Sequence, residues 1–284
     1  MSAMRSLNFV ARLTSDLMPY IGGDRRTPVV YFDKVRNVGD LLNPYIVPKI
    51  TGQETRRSKS NVFAHLRAIG SVLGSANRQS YIWGSGSIDG NPPRSRLDPQ
   101  KIRAVRGVLT REMLHGCGYP IESVPLGDPA VLLPRYYSKE RLATTFRVGV
   151  VPHFSDMDIV LSGNIVVPKD CLVIDVAQDP ETFVDSLLKC DFIVSSSLHG
   201  LILADAYGVP NVWASFSGRL LGGEFKFMDY YTTTDSRKQV VYHVATQSDF
   251  TELLKSISSI ASRKLYKFNA DDLLDAFPRE MKSV

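Results

Sequence analysis

Cysteine is scarce: Cys117, Cys171 and Cys190 are scattered along 284 positions and none belongs to a CxxC pair. That excludes a disulfide framework and a cysteine-built zinc site, and it fits a reducing compartment. No apolar run approaches about 18 residues, so no segment is expected to span a bilayer. GxGxxG, the Walker loop and GxSxG are all missing, which removes direct support for dinucleotide, P-loop or acyl-transfer chemistry. Histidine and carboxylate residues show no metal-ligand spacing, so no metal and no cofactor is expected. There is no repeat and no low-complexity tract. The N-terminus carries Arg12 and Asp16 and lacks a long apolar centre, so it does not read as a signal peptide.

What is present is ordinary in amount and informative in order. A chain of 284 residues is long enough for about two domains. Thirty-four basic against 29 acidic residues leave a net charge of +5. That mild excess favours small anionic ligands or an acidic membrane surface over nucleic acid, for which no reading helix stands out. Residues 5–18 predict an amphipathic helix, read as an ordinary surface helix in preference to one lying in a membrane.

Periodicity predicts alternating elements. PVVYFDK (Pro28–Lys34), SYIW, IRAVRG, SVPLGDP, RVGVVPHF, DFIVSS and NVWASF read as strands, and NIVVP or CLVIDVA supplies one or two more. Helices are expected from Asp40 as N-cap, with Pro44 in the first turn, over VFAHLRAIGSVLGSA, from Thr110, and after Asp179–Pro180. LHGLILADAYG and the long C-terminal stretch, including SRKLYKF, complete the helical set. The pattern predicts an α/β protein with parallel sheets of the doubly wound kind. The polar stretch 136–147 suggests two Rossmann-like domains, 1–143 and 144–284, with the C-terminal helices packing back on the first. A ligand then belongs in the cleft between them.

In parallel sheets the loops after strands line the ligand crevice. That rule selects Asn37, Gly39 and Asp40 from NVGD, and Gly84, Ser85, Gly86 and Ser87 from GSGS. It also selects Arg106, Asp128, His153, and Ser195, Ser196, Ser197, His199 and Gly200 from SSSLHG. The serines are expected to cap the following helix, whose positive end favours an anion. An imidazole can give or take a proton near neutral pH, so His199 is the candidate proton donor at that anion's edge. Asp128 has two readings, a substrate contact or a cap on the turn before Pro129, and the second is preferred.

The same stretches, in the same order, resemble the polysaccharide pyruvyl transferase family. SSSLHGLILADAYGVP is similar to its S-x-x-LHG…A-x-x-G-x-P segment, and NVGDLLNP to its N-x-GD motif. IWGSGS, VRGVLTREML, LGDPAVLLP and VPHFSD follow the family's order. EFKFMDYY resembles the exopolysaccharide-type members that decorate xanthan and succinoglycan.

The resemblance implies a GT-B-like arrangement, with the first domain on the acceptor side and the second on the donor side. It also implies transfer of pyruvate from phosphoenolpyruvate, a co-substrate, onto a hexose of a lipid-linked oligosaccharide as a cyclic ketal. The setting would be cytoplasmic, with peripheral contact at the inner membrane. His199, Asp40 and His153 become the candidate catalytic residues. Arg106, Lys226, Ser195, Ser196, Ser197, Gly200, Gly84, Ser85 and Gly86 become donor-side candidates, and Asn37, Asp128, Asp229 and Tyr230 acceptor-side ones. Many members carry Arg before LH where this chain has Ser197. Lys226, then Arg219 or Arg106, is expected to replace that charge. Two rivals remain: a nucleotide-sugar glycosyltransferase of the same build, and a non-catalytic glycan- or anion-binding protein.

Overall fold

The computed structural model describes residues 2–141, 143–218, 222–236 and 240–282. Its strands form two five-stranded sheets, parallel throughout. The first contains β1 (Thr27–Val29), β2 (Thr55–Arg57), β3 (His65–Arg67), β4 (Ser80–Trp83) and β5 (Ile102–Ala104), in the order β2-β1-β3-β4-β5. The second contains β6 (Phe146–Val151), β7 (Cys171–Val173), β8 (Cys190–Ser195), β9 (Asn211–Ser215) and β10 (Tyr242–His243), in the order β10-β9-β8-β6-β7.

Taken from its other edge the second order is β7-β6-β8-β9-β10, so both sheets follow one plan. In each, the chain builds outward in opposite directions from a central pair, β1 with β3 and β6 with β8. At such a reversal neighbouring loops part and leave a crevice at the carboxyl ends of the strands.

The helices are α1 (Ser2–Ile21), α2 (Val38–Thr51), α3 (Val108–Gly116), α4 (Leu133–Tyr136), α5 (Met157–Leu161), α6 (Pro180–Leu188), α7 (Leu198–Ala206), α8 (Phe225–Tyr231), α9 (Gln247–Ile260) and α10 (Ala270–Asp275). The main core runs through both halves, from Leu42, Ile46 and Trp83 to Leu201, Trp213 and Phe227. The C-terminal segments return to the first sheet. Trp83 Nε1 donates to Leu273 O at 2.7 Å, Thr27 Oγ1 donates to Met281 O at 3.2 Å, and Arg103 pairs with Glu280 at 2.5 Å.

Helix α1 is held by a polar residue and turns apolar ones outward. Buried Asp16 accepts from Ser58 Oγ, from Lys59 N, and from the amide and hydroxyl of Ser60. Burial would raise its pKa, but the hydrogen bonds from Ser60, Lys59 and Ser58 together outweigh that and hold it below the usual carboxylate value. Val10, Met18 and Ile21 are exposed. Among the described residues no helix is long and apolar enough to cross a membrane.

Several local expectations are corrected. VFAHLRAIGSVLGSA is not a helix: it holds β3, a turn and a short 3-10 segment at Leu73–Ser75. Its three- and four-residue apolar spacing coincides with a central strand buried on both faces, which periodicity alone does not separate from a buried helix. Gly70, at φ +111°, then forces the turn. The first strand stops at Val29 and leaves Tyr31 and Phe32 in a loop. SVPLGDP contributes a single bridge, Val105 with Leu126, and SRKLYKF leaves helix after Ile260.

The cap of α2 is Asn37, three residues earlier than expected, and Pro44 lies mid-helix. A proline there leaves the carbonyl four residues back without its partner. That carbonyl belongs to Asp40, and Asn43 Nδ2 donates to it at 3.2 Å. The same buried amide group donates to Ile69 O and accepts from Ile69 N, each at 3.0 Å. Asn43→Ala strands all three backbone groups. It is expected to lower the unfolding free energy by about 3 kcal/mol, seen as a lower urea midpoint at unchanged slope.

Candidate functional site

Loops from the carboxyl ends of both sheets face one another across a cavity of about 160 Å³. From the first sheet come Phe32, Asn37 and Asp40 after β1, Gly70 to Val72 after β3, and Ile88 after β4. The second supplies His153 and Phe154 after β6, Val176 after β7, Ser197 to His199 after β8, and Lys226 after β9. The site therefore sits where the two reversal points meet. Its volume is below the about 300–1,000 Å³ usual for larger organic ligands.

Asp40 is the third residue of α2. Its carboxylate accepts from Asn37 Nδ2 at 2.6 Å and from Phe32 N at 2.8 Å, while Asn37 Oδ1 caps the helix by accepting from Asp40 N. Burial raises its pKa, with the Asn37 amide and the nearby His199 pulling the other way. A carboxylate in that position is a stronger base than one in water, and it is already oriented.

His199 is the second residue of α7, and its side chain is 12% exposed. The ring rests on Gly39, where an added Cβ would stand 2.0 Å from Nδ1. Nε2 points toward Asp128 Oδ2 at 3.6 Å.

The three serines do something other than cap. Ser197 is the N-cap of α7 by backbone conformation, but its side chain makes no cap bond. Ser195 Oγ donates to Val151 O and accepts from Ser197 N, tying β8 to β6. Ser196 Oγ donates to buried Asp156 at 2.7 Å and accepts from His153 N at 2.8 Å. Of the three, only Ser197 lines the cavity.

His153 is held differently from His199. Its Nδ1 accepts from Ser155 N at 3.3 Å, which places the proton of the neutral ring on Nε2. Burial, and then the charge of Lys226, push its pKa down to about 4. Near neutral pH it is an uncharged donor, which argues against a role as the acid. Lys226 is buried and lines the cavity, its ammonium 5.3 Å from the Phe227 ring centroid. Burial first, and Arg106 second, push its pKa down to about 8, with Asp156 opposing. No hydrogen bond or ion pair reaches its Nζ among the described residues, so its charge is available to a ligand.

Arg106 does not line the cavity. It is fully buried, and its fork is occupied: Nε and Nη2 reach Asp229 Oδ2 at 3.0 and 2.9 Å, Nη2 donates to Ser87 O, and Nη1 donates to Ser71 Oγ at 2.6 Å. Asp229 also accepts from the amide and hydroxyl of Thr110. The pair therefore supports Ser71, a cavity residue, from beneath. Gly86 leaves room for the guanidinium, which a Cβ would meet at 2.5 Å.

Other sequence candidates also serve the walls. Gly84 packs on Pro129, Ser85 Oγ donates to Gly70 O, and Gly200 packs on Ser195. Tyr230 donates to Asp205 deep in the second half. Asp128 caps the 3-10 turn at Pro129 through Ala130 N, as preferred from sequence. Arg219 lies outside the described residues.

Phe32, Phe154, Gly70, Ser71 and Asp156 were missed. Phe32 was read into a strand. Gly70 and Ser71 fall inside the helix expected over VFAHLRAIGSVLGSA; with β3 as a strand, the rule for loops after parallel strands selects them. Nothing in the sequence marks Asp156 as the partner of Ser196 and of Ser217.

Comparison with known proteins gives a family and two relatives. The family model described as polysaccharide pyruvyl transferase matches residues 77–217. "Uncharacterized protein L143" of Acanthamoeba polyphaga mimivirus is 30% identical over 215 residues, covering 70% of this chain and 71% of its own. "Succinoglycan biosynthesis protein ExoV" of Rhizobium meliloti is 29% identical over 196 residues, covering 69% of this chain and 52% of its own. The chain thus aligns with about half the length of the latter.

Gly39→Ala is expected to displace the His199 ring by about 1 Å while the helix survives, since alanine suits a helix better than glycine. Misplacement on that scale costs about 10²-fold in rate. A crystal structure of the variant, unchanged circular dichroism and an activity measurement check the three parts together.

Proposed function

The chain belongs to the polysaccharide pyruvyl transferase family, and on that premise we propose that it moves the pyruvyl unit of phosphoenolpyruvate onto a hexose as a cyclic ketal. The observation that carries this reading is the cavity itself. It joins a histidine, a basic buried carboxylate and a buried ammonium with no ion-pair partner among the described residues, in a space suited to a small anion. A nucleotide sugar is a poorer fit to that volume, and a passive anion site has no need of the oriented Asp40.

On this reading Lys226 and the free N–H groups at the start of α7 hold the phosphate and carboxylate of the donor. His199 gives a proton to the methylene carbon, which becomes a methyl group and leaves the neighbouring carbon electron-poor. A sugar hydroxyl adds there, and Asp40 takes its proton. The carbon–oxygen bond to phosphate then breaks, phosphate leaves with the bonding pair, and a second hydroxyl of the same sugar closes the ketal. Of the two hydroxyl protons, the one on Asp40 and the one from the second hydroxyl, one restores His199 and the other leaves with phosphate. The sum is one phosphoenolpyruvate and one diol giving one ketal and one phosphate, with no redox change.

The acceptor, in the same proposal, is a hexose of a lipid-linked oligosaccharide or exopolysaccharide repeat. The outward Val10, Met18 and Ile21 of α1 support a peripheral contact with a membrane face.

Incubation with phosphoenolpyruvate and a panel of lipid-linked oligosaccharides should release phosphate and add the mass of a ketal. Consumption of a nucleotide sugar instead would overturn the reading. His199→Gln is expected to lose about 10²- to 10⁴-fold in kcat while donor binding survives.

Lys226→Met should act on the donor KM, raising it by tenfold or more. In the wild type the ammonium is present below its pKa of about 8 and lost above it. The donor KM should therefore climb as pH rises through 8, and the Lys226→Met variant should lack that climb.

A further inference from the structure

Among the described residues, two buried polar atoms of the site have no hydrogen-bond partner, and they face each other. They are Asp128 Oδ2 and His199 Nε2, 3.6 Å apart. A buried carboxylate oxygen without a partner is costly, so its persistence calls for an explanation.

The Asp128 carboxylate is firmly placed. Its Oδ1 accepts from Ala130 N at 3.0 Å and its side chain is fully buried. Gly127 before it adopts φ +137° and lies against Phe268, and Pro129 after it packs on Gly84. The imidazole is placed as firmly, with Gly39 beneath it. Nδ1 makes no hydrogen bond among the described residues and is not among the buried unpartnered atoms, so it is the ring nitrogen left to a ligand.

We propose that Asp128 is the positioning residue for His199: its carboxylate holds the Nε2 proton, so that Nδ1 is the atom that exchanges a proton with the substrate. The assignment rests on His199 acting as the acid of the reaction proposed above. Asp128 touches no substrate. It acts through the ring, by setting which nitrogen carries the permanent proton and by balancing the charge of the imidazolium. The imidazole comes from the second half of the chain, while Gly39 and Asp128 come from the first. The reactive geometry therefore exists only when these segments are packed together.

The decisive measurement is the tautomer of the neutral His199 ring in the full chain, read from its nitrogen-15 chemical shifts and assigned with His199→Gln. The wild type should show the proton on Nε2. In Asp128→Asn the amide oxygen can still cap Ala130, but the amide nitrogen then donates toward Nε2. The proton should move to Nδ1, and kcat should fall about 10³-fold with the donor KM changed less than about threefold. A role confined to the cap would leave the tautomer where it was.

A wild-type ring protonated on Nδ1 overturns the proposal, even if the variant does not fold. So does an Asp128→Asn ring that keeps its proton on Nε2. The tautomer is read without turnover, so a chain inactive on phosphoenolpyruvate would sink the functional reading and leave this test standing.

Discussion

The His199 imidazole fits only because residue 39 has no side chain. Every other feature of the site is arranged around that contact. It requires the N-terminus of α2 to approach the N-terminus of α7 closely, which brings Asp40 and Asn37 opposite Ser197 and His199. The shared strand order of the two sheets makes the approach possible, because each opens its crevice at the reversal of its own winding. Neither crevice alone holds both Asp40 and His199.

Charge in the site is managed by depth. Arg106 is the strongest permanent cation near it, yet it is neutralised by Asp229 and used as a strut under Ser71. A buried guanidinium left without its carboxylate would be severely costly, so the pair behaves as one structural unit. Lys226 has no such partner among the described residues, and burial and Arg106 lower its pKa. An ammonium held in that state gains most from an incoming anion, which restores the interactions that burial removed. Of the two cations, only Lys226 therefore has a charge left for a ligand at the cavity.

Serine hydroxyls and a single proline repair give the site its stiffness. Ser195 and Ser196 stitch β8 to the loop after β6, so His153 and His199 are carried on one frame. On the other side Asn43 supplies the bond that Pro44 removes from α2 and ties the helix to the loop after β3. Both devices turn the loops that line the cavity into fixed walls.

Much of this was legible in the sequence. Alternating strands and helices established the α/β class, and the rule that ligands gather after parallel strands found Asn37, Asp40, His153, Ser197 and His199. Lys226 came from the motif that holds it, by resemblance to a family. Local patterns failed where periods coincide, as at His65–Arg67, and that error concealed Gly70 and Ser71. Tertiary structure alone decided which polar residues reach the cavity. Arg106, Ser195 and Asp229 have the chemistry of ligands and sit after strands or in a shared motif, but neighbours far along the chain claim their donors and acceptors. A sequence sets what each side chain is able to bind; only packing determines which of those bonds the protein has already made within itself.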